Sequence, residues 1–135
     1  MMMLSIKDAA KEVQLTPHTL RYYESEGLLP FLERDEQGHR VFSKKDIEWI
    51  QFILCLRNTG MSIREMKSFV KLYKGGDKTI PDRMDILYEH KKLIEEQLEE
   101  TKWYLRNINN KIAHYESINK DYQKSKEERK ALVHE

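Results

Sequence analysis

The sequence lacks most features that mark a secreted protein, a membrane protein or an enzyme. Its 135 residues include one cysteine, Cys55, so no disulfide can form within the chain, as is usual in a reducing cytoplasm. No apolar run resembles a signal peptide or a membrane span, so we expect a cytoplasmic location and no membrane partner. We find no nucleophile–base motif, no phosphate-binding glycine loop and no metal-ligand spacing among the histidines. These absences predict a protein that is not an enzyme and needs no cofactor or metal.

A strong charge of one sign is lacking as well. Charged residues make up 35% of the chain, yet the formal net charge is only +1. The first 74 residues hold 12 basic and 10 acidic side chains, so the basic excess there is small. Any binding to nucleic acid must therefore depend on local clustering of basic side chains.

The first half of the chain has the pattern of short, capped helices. Ser5 is placed to cap one helix, and Thr16 with Pro17 is placed to open a second that ends before Gly27. Two short helices joined by a tight turn predict a helix-turn-helix. Further helices are expected after Ser43 and Ser62, each of which has an acidic residue three positions later.

Between these helices, residues 31–34 and 39–42 flank a polar loop that contains Gly38. This pattern predicts a β-hairpin, which could act as a wing beside the second helix. The second helix would enter the major groove of DNA by its N-terminal end, with basic and hydroxyl side chains contacting bases and phosphates. The expected DNA-binding residues of the helix and the hairpin are Thr16, His18, Thr19, Arg21, Tyr22, Tyr23, Arg34, His39 and Arg40.

Each of these features also has a simpler interpretation. Capped helix pairs occur in many proteins that bind no DNA, and Tyr22 or Tyr23 could be a core aromatic residue. Arg40 could be a solvated charge on the hairpin. The order helix-turn-helix, basic hairpin and long helix favours the DNA-binding interpretation.

From Asp82 onward the chain has no glycine or proline, and apolar residues recur at alternating spacings of three and four. That is the pattern of a coiled-coil seam. A helix of this length cannot bury its seam against so small an N-terminal half, so we expect it to pair with the same helix of a second chain. The expected dimerisation residues are Leu87, Ile94, Leu98, Leu105, Ile108, Ile112 and Tyr115. His90 and His114 are expected at the surface or at the edge of the seam.

Three segments of the first half resemble MerR-type transcriptional regulators. The run TPHTLRYYE at 16–24, with GLL at 27–29, resembles the recognition-helix signature of that family. GHRVF at 38–42 resembles its wing, although His39 and Phe42 stand where an aromatic pair usually brackets the arginine. LR at 56–57 and GMSIREM at 60–66 resemble the junction of the third and fourth helices. The resemblance covers residues 4–72 closely and the long helix by architecture only.

The resemblance implies a homodimer, formed by an antiparallel pair of long helices and bound to a pseudo-palindromic operator. In this family the operator lies in a promoter whose elements are too far apart. Distortion of that double-stranded DNA lets RNA polymerase engage both elements, so the polymerase is an indirect partner. The fold class expected is mainly α: a winged helix-turn-helix at 1–75, a linker at 76–81, a coiled-coil helix at 82–122 and a charged, mobile tail at 123–135.

Cys55 is the candidate sensor, because its helical position lies away from the apolar stripe of the third helix. The run ILCLRNTG at 53–60 looks like that of a subgroup of short MerR-like regulators that respond to aldehydes and other thiol-reactive electrophiles. A thiolate is the reactive form, and nearby cations such as Arg57 or Arg64 would favour it. The alternatives are that Cys55 only fills space while a different small effector acts, or that the chain is a coiled-coil adaptor that binds no DNA.

Overall fold

The computed structural model describes residues 3–133 and is mainly helical, with a small sheet and a long C-terminal helix. The chain divides into two units, the first ending at Lys91 and the second beginning at Lys92. The mainly α fold with a winged helix-turn-helix is therefore confirmed.

The helix-turn-helix consists of α1 (Ile6–Glu12) and α2 (Pro17–Ser25). The Ser5 side chain accepts a hydrogen bond from Asp8 N at 3.2 Å, as expected of an N-cap. Gly27, just past the end of α2, has a φ of 78°, a conformation that favours glycine and lets the chain turn towards the hairpin.

A small antiparallel sheet joins the start of the chain to the hairpin. Its strands are β1 (Leu4–Ser5), β2 (Glu33–Arg34) and β3 (Arg40–Phe42), in the order β1-β3-β2. The hairpin was expected, but β1 was not, and its pairing with β3 fixes the wing against the helix-turn-helix.

The two remaining helices of the first unit are α3 (Lys44–Asn58) and α4 (Ile63–Lys74). Ser43 and Asp46 form a full capping box at the start of α3. The core collects buried apolar side chains from α1, α2, β3, α3 and α4. Its most completely buried large side chains are Phe42, Leu20, Leu28, Ile50, Ile53, Met61 and Met66. This core holds the hairpin and α2 in one body.

The segment expected to be a linker contains regular structure. A 3₁₀ turn at Asp77–Thr79 leads directly into α5 (Ile80–Val133), which starts inside the expected linker. Pro81 is compatible with this start because the first turn of a helix needs no backbone N–H from it. The helix also continues through residues 123–133, where a mobile tail was expected; residues 134–135 of that tail lie outside the described residues.

His90 is buried, in contrast to the position at the surface or at the edge of the seam expected from the sequence. It is 8% exposed, and its Nε2 lies 2.7 Å from Thr59 Oγ1 just after α3. The hydrogen bond explains how a polar ring is tolerated there. His114 is exposed, as expected.

In the second unit, α5 leaves its apolar side chains exposed. The side chains of Leu98, Leu105, Ile108, Ile112 and Tyr115 have exposed fractions between 49% and 60%.

The Tyr104 hydroxyl donates to Glu100 Oε1 at 2.6 Å, and this bond to a carboxylate raises the pKa of Tyr104 above its usual value. Among residues 3–133, no helix is long and apolar enough to cross a membrane.

Candidate nucleic-acid interface

The start of α2 is fixed by its two threonines. Thr16 Oγ1 accepts from Thr19 N at 3.1 Å, and the two hydroxyl oxygens lie 2.9 Å apart. Thr16 therefore has the N-cap role predicted for it, and Pro17 occupies the first turn. The cap sets the direction in which the first turn of α2 leaves the body of the protein.

One face of α2 is exposed and the other is packed. His18, Arg21 and Tyr22 are exposed, as the spacing of three and four residues predicts. Leu20 is fully buried, and Tyr23 is only 7% exposed. Tyr23 differs in this way from the other expected DNA-binding residues, and its ring belongs to the core rather than to the exposed face.

The tip of the hairpin is held by Asp35. Its Oδ1 accepts from Gln37 N at 3.0 Å and from His39 N at 2.8 Å. Arg34 Nη1 donates to the Gly38 carbonyl at 2.6 Å across the loop. These bonds define the loop conformation, so the positions of Arg34 and His39 are set by the hairpin itself.

The base of the hairpin is tied to α2 by an ion pair. Arg40 Nε donates to Glu24 Oε1, and both side chains are about three-quarters buried, with exposed fractions of 27% and 22%. A charged hydrogen bond in this setting is stronger than one on an open surface. The pair therefore fixes the wing relative to the recognition helix.

A concavity of about 560 Å³ lies between α1, α2 and the hairpin. The ionisable residues of its lining are five basic ones and one acidic one: Lys7, Arg21, Arg34, His39 and Arg40, with Asp35. The structure thus brings together four of the residues expected to bind DNA, which are Arg21, Arg34, His39 and Arg40. Lys7 also lines this concavity. The sequence did not predict Lys7 as a DNA-binding residue, because its position beside the hairpin depends on the β1–β3 pairing.

Comparison with known proteins agrees with this geometry. A family model described as MerR HTH family regulatory protein matches residues 4–72, and one described as MerR, DNA binding matches residues 47–110. An HTH-type transcriptional regulator of Haemophilus influenzae is 40% identical over 108 residues, which are 80% of each chain.

The chain belongs to the MerR family. It is therefore a DNA-binding transcriptional regulator, and the prediction that it is not an enzyme is confirmed by the regulators it matches. A second relative, the HTH-type transcriptional regulator AdhR of Bacillus subtilis, is 43% identical over 93 residues, covering 68% of this chain and 66% of AdhR.

A solved structure of a MerR regulator resembles this chain closely. HiNmlR, described as a MerR family regulator lacking the sensor domain and bound to promoter DNA, superposes with a TM-score of 0.80 at 38% identity. The match covers 86% of this chain and 92% of HiNmlR.

In this MerR family member, Cys55 lies in the last turn of α3 and is exposed. Its carbonyl oxygen accepts from Thr59 N at 3.2 Å and from Thr59 Oγ1 at 2.7 Å. Thr59 in turn contacts the buried His90. The backbone of Cys55 is thus connected to α5 through one hydroxyl group. Among residues 3–133, no three potential metal ligands cluster, so Cys55 has no group of metal-ligating neighbours there.

Proposed function

We propose that this regulator binds a pseudo-palindromic promoter operator as a homodimer, with α2 in the major groove and the hairpin along the backbone. The observation that carries the proposal is the joint presentation of Arg21 on α2 with Arg34 and His39 on a hairpin that the Glu24–Arg40 pair holds in place. Thr16, His18, Thr19 and Tyr22 extend the same surface along α2. The likeness to HiNmlR, which was solved on promoter DNA, supports this mode of binding.

The homodimer is supported by the apolar side chains of α5. Leu98, Leu105, Ile108 and Ile112 recur at seam positions and are about half exposed in the single chain. Contiguous apolar surface of this kind is stabilised by a partner, and an identical helix presents a matching seam. Of the remaining dimerisation residues, Tyr115 is exposed, Ile94 is half-buried and Leu87 packs against the core of its own chain.

We further propose that the bound dimer distorts the promoter and so helps RNA polymerase engage it. Two α2 helices in one dimer must reach grooves about one helical turn apart, or a multiple of that distance. If the operator does not present the grooves in that geometry, the DNA must bend or untwist, and part of the binding free energy offsets this deformation.

The proposed signal is a reactive electrophile that modifies Cys55. The exposed thiol is accessible to an aldehyde. The thiolate sulfur bonds to the carbonyl carbon, the C=O π bond breaks, and the resulting alkoxide takes a proton from water to give a hemithioacetal. The relative AdhR is named as a regulator too, but its name alone assigns no effector. The second candidate is a different small effector with Cys55 structural, and a cavity lined by Phe31, Trp49 and Tyr73 favours it.

The DNA part of the proposal is tested with a labelled duplex from the promoter of the gene that encodes this chain. Binding should be much tighter than to a duplex of the same composition with shuffled sequence, and it should weaken steeply as salt is raised. Equal affinity for the two duplexes would contradict sequence-specific regulation.

The sensing part is tested with a reporter driven by the same promoter and challenged with formaldehyde. Cys55→Ser should abolish the response while operator binding by the purified variant stays intact. Asn58→Ser, a nearby exposed substitution on α3, serves as the matched control. An unchanged response in Cys55→Ser would contradict sensing of the electrophile through the Cys55 thiol.

A further inference from the structure

A small cavity walled by aromatic rings lies away from the DNA-binding surface. It has a volume of about 210 Å³ and is bounded by the segment that leads from α2 to the hairpin, the start of α3 and the end of α4. The rings of Phe31, Trp49 and Tyr73 form one wall. The ring centroids of Trp49 and Tyr73 are 4.6 Å apart, and those of Phe31 and Tyr73 are 5.6 Å apart.

The aromatic wall is fixed in place by contacts outside the cavity. Trp49 Nε1 donates to the Leu28 carbonyl at 2.8 Å, so its polar atom is already satisfied. Arg83 of α5 lies over the Tyr73 ring, with Cζ 5.3 Å from the ring centroid. Phe31, by contrast, is 58% exposed at the mouth of the cavity. An exposed phenylalanine beside fixed rings leaves apolar surface that a flat ligand could cover.

The charged groups of the lining are Lys45 and Asp46. Asp46 Oδ2 accepts from Ser43 N at 2.9 Å in the capping box, so this carboxylate is directed to the start of α3. Lys45 is exposed and carries a flexible ammonium group at the rim. The cavity therefore combines an apolar aromatic wall with an adaptable cation.

We propose that this cavity is a binding site for a small aromatic carboxylate with one ring. The ring would lie against Phe31, Trp49 and Tyr73, and the carboxylate would pair with the Lys45 ammonium. The cavity volume limits the ligand to a single ring, because cavities that bind drug-sized ligands are larger, about 300–1,000 Å³. The site rests on the second candidate function, that of a small effector other than a Cys55 electrophile, and names the chemical class of that effector. Its occupant would contact both the base of the hairpin and α4.

The test uses the full chain with benzoate as the probe. The sequence has two tryptophans, so Trp103→Phe on the exposed face of α5 leaves Trp49 as the single indole N–H signal in a nitrogen–proton NMR spectrum. Benzoate should shift that signal saturably with a millimolar dissociation constant, since a ligand of so few atoms has limited affinity. Benzyl alcohol, which has the ring without the charge, should bind more weakly.

Two lysine variants, each made in the Trp103→Phe protein, distinguish an ion pair at this site from a general effect of protein charge. Lys45→Gln should weaken benzoate binding by about fivefold, as expected for a partly exposed ion pair. Lys44→Gln, at the neighbouring position but outside the lining, should leave it unchanged. No saturable shift with benzoate would overturn the site, and equal binding of benzoate and benzyl alcohol would overturn the role of Lys45. Neither result depends on promoter binding or on Cys55.

Discussion

Arg40 at the base of the hairpin donates a hydrogen bond to the Glu24 carboxylate on α2, so the wing and the recognition helix are joined through their side chains. Arg40 was expected from the sequence to contact DNA. Its side chain links α2 and the hairpin through this ion pair.

Glu24→Gln should destabilise the fold and weaken operator binding together. The substitution keeps an acceptor oxygen but removes the negative charge facing a guanidinium that is about three-quarters buried, at a cost of about 1–3 kcal/mol in the free energy of unfolding. Denaturant unfolding and operator titration measure the two effects. Glu128→Gln, exposed near the end of α5, removes the same charge away from the DNA-binding surface and should change neither. Wild-type behaviour of Glu24→Gln would show that the ion pair does not position the wing.

Arg21→Ala should weaken operator binding without affecting stability. Arg21 is exposed on α2 and lines the basic concavity, so its loss removes a contact to a base or a phosphate worth about 1–3 kcal/mol. The dependence of affinity on salt concentration should become shallower if the contact is to phosphate. Lys126→Ala, near the end of α5, removes the same charge and should have little effect. Equal losses in the two variants would point to overall charge rather than to α2.

Ile108→Lys should convert the dimer to monomer. Ile108 is 57% exposed in the single chain, and each isoleucine buried at a seam contributes about 1.5–3 kcal/mol. Asn110→Lys, two residues along and off the seam, introduces the same charge and should leave the dimer intact. Analytical ultracentrifugation measures the state of each variant. A dimeric Ile108→Lys would place the interface elsewhere on the chain.

Thr59→Val should lower the stability of the first unit. The Thr59 hydroxyl contacts both the Cys55 carbonyl and His90 Nε2, and its loss leaves a buried ring nitrogen without that partner. The expected cost is about 1–3 kcal/mol, measured by denaturant unfolding. Ser68→Ala, which removes an exposed hydroxyl bonded to Arg64 O, should cost far less. Similar losses in the two variants would mean that the burial of His90 does not depend on Thr59.

The local elements of the fold could be predicted because their signals lie within a few residues. The caps at Ser5, Thr16 and Ser43 and the turn at Gly27 each depend on neighbours in the sequence, and each is confirmed. The split of α2 into an exposed and a buried face follows in the same way from helical spacing.

Features that depend on distant contacts could not be predicted. The strand β1 is two residues long and exists through its pairing with β3, which also explains why Lys7 was missed. His90 was expected at the surface or at the edge of the seam, but Thr59, 31 residues earlier, supplies a hydrogen-bond partner for its buried ring. The residues of the aromatic cavity come from three separate segments, and no local pattern marks their meeting.

Hydroxyl-radical footprinting of this chain on its own promoter tests the central claim most directly. A homodimer that reads the operator with two α2 helices should protect two segments of similar sequence, about 34–36 Å or a multiple of that distance apart, with altered cleavage between them. Arg21→Ala should remove both protected segments at the same protein concentration. A single protected segment, or uniform protection along the duplex, would contradict the account.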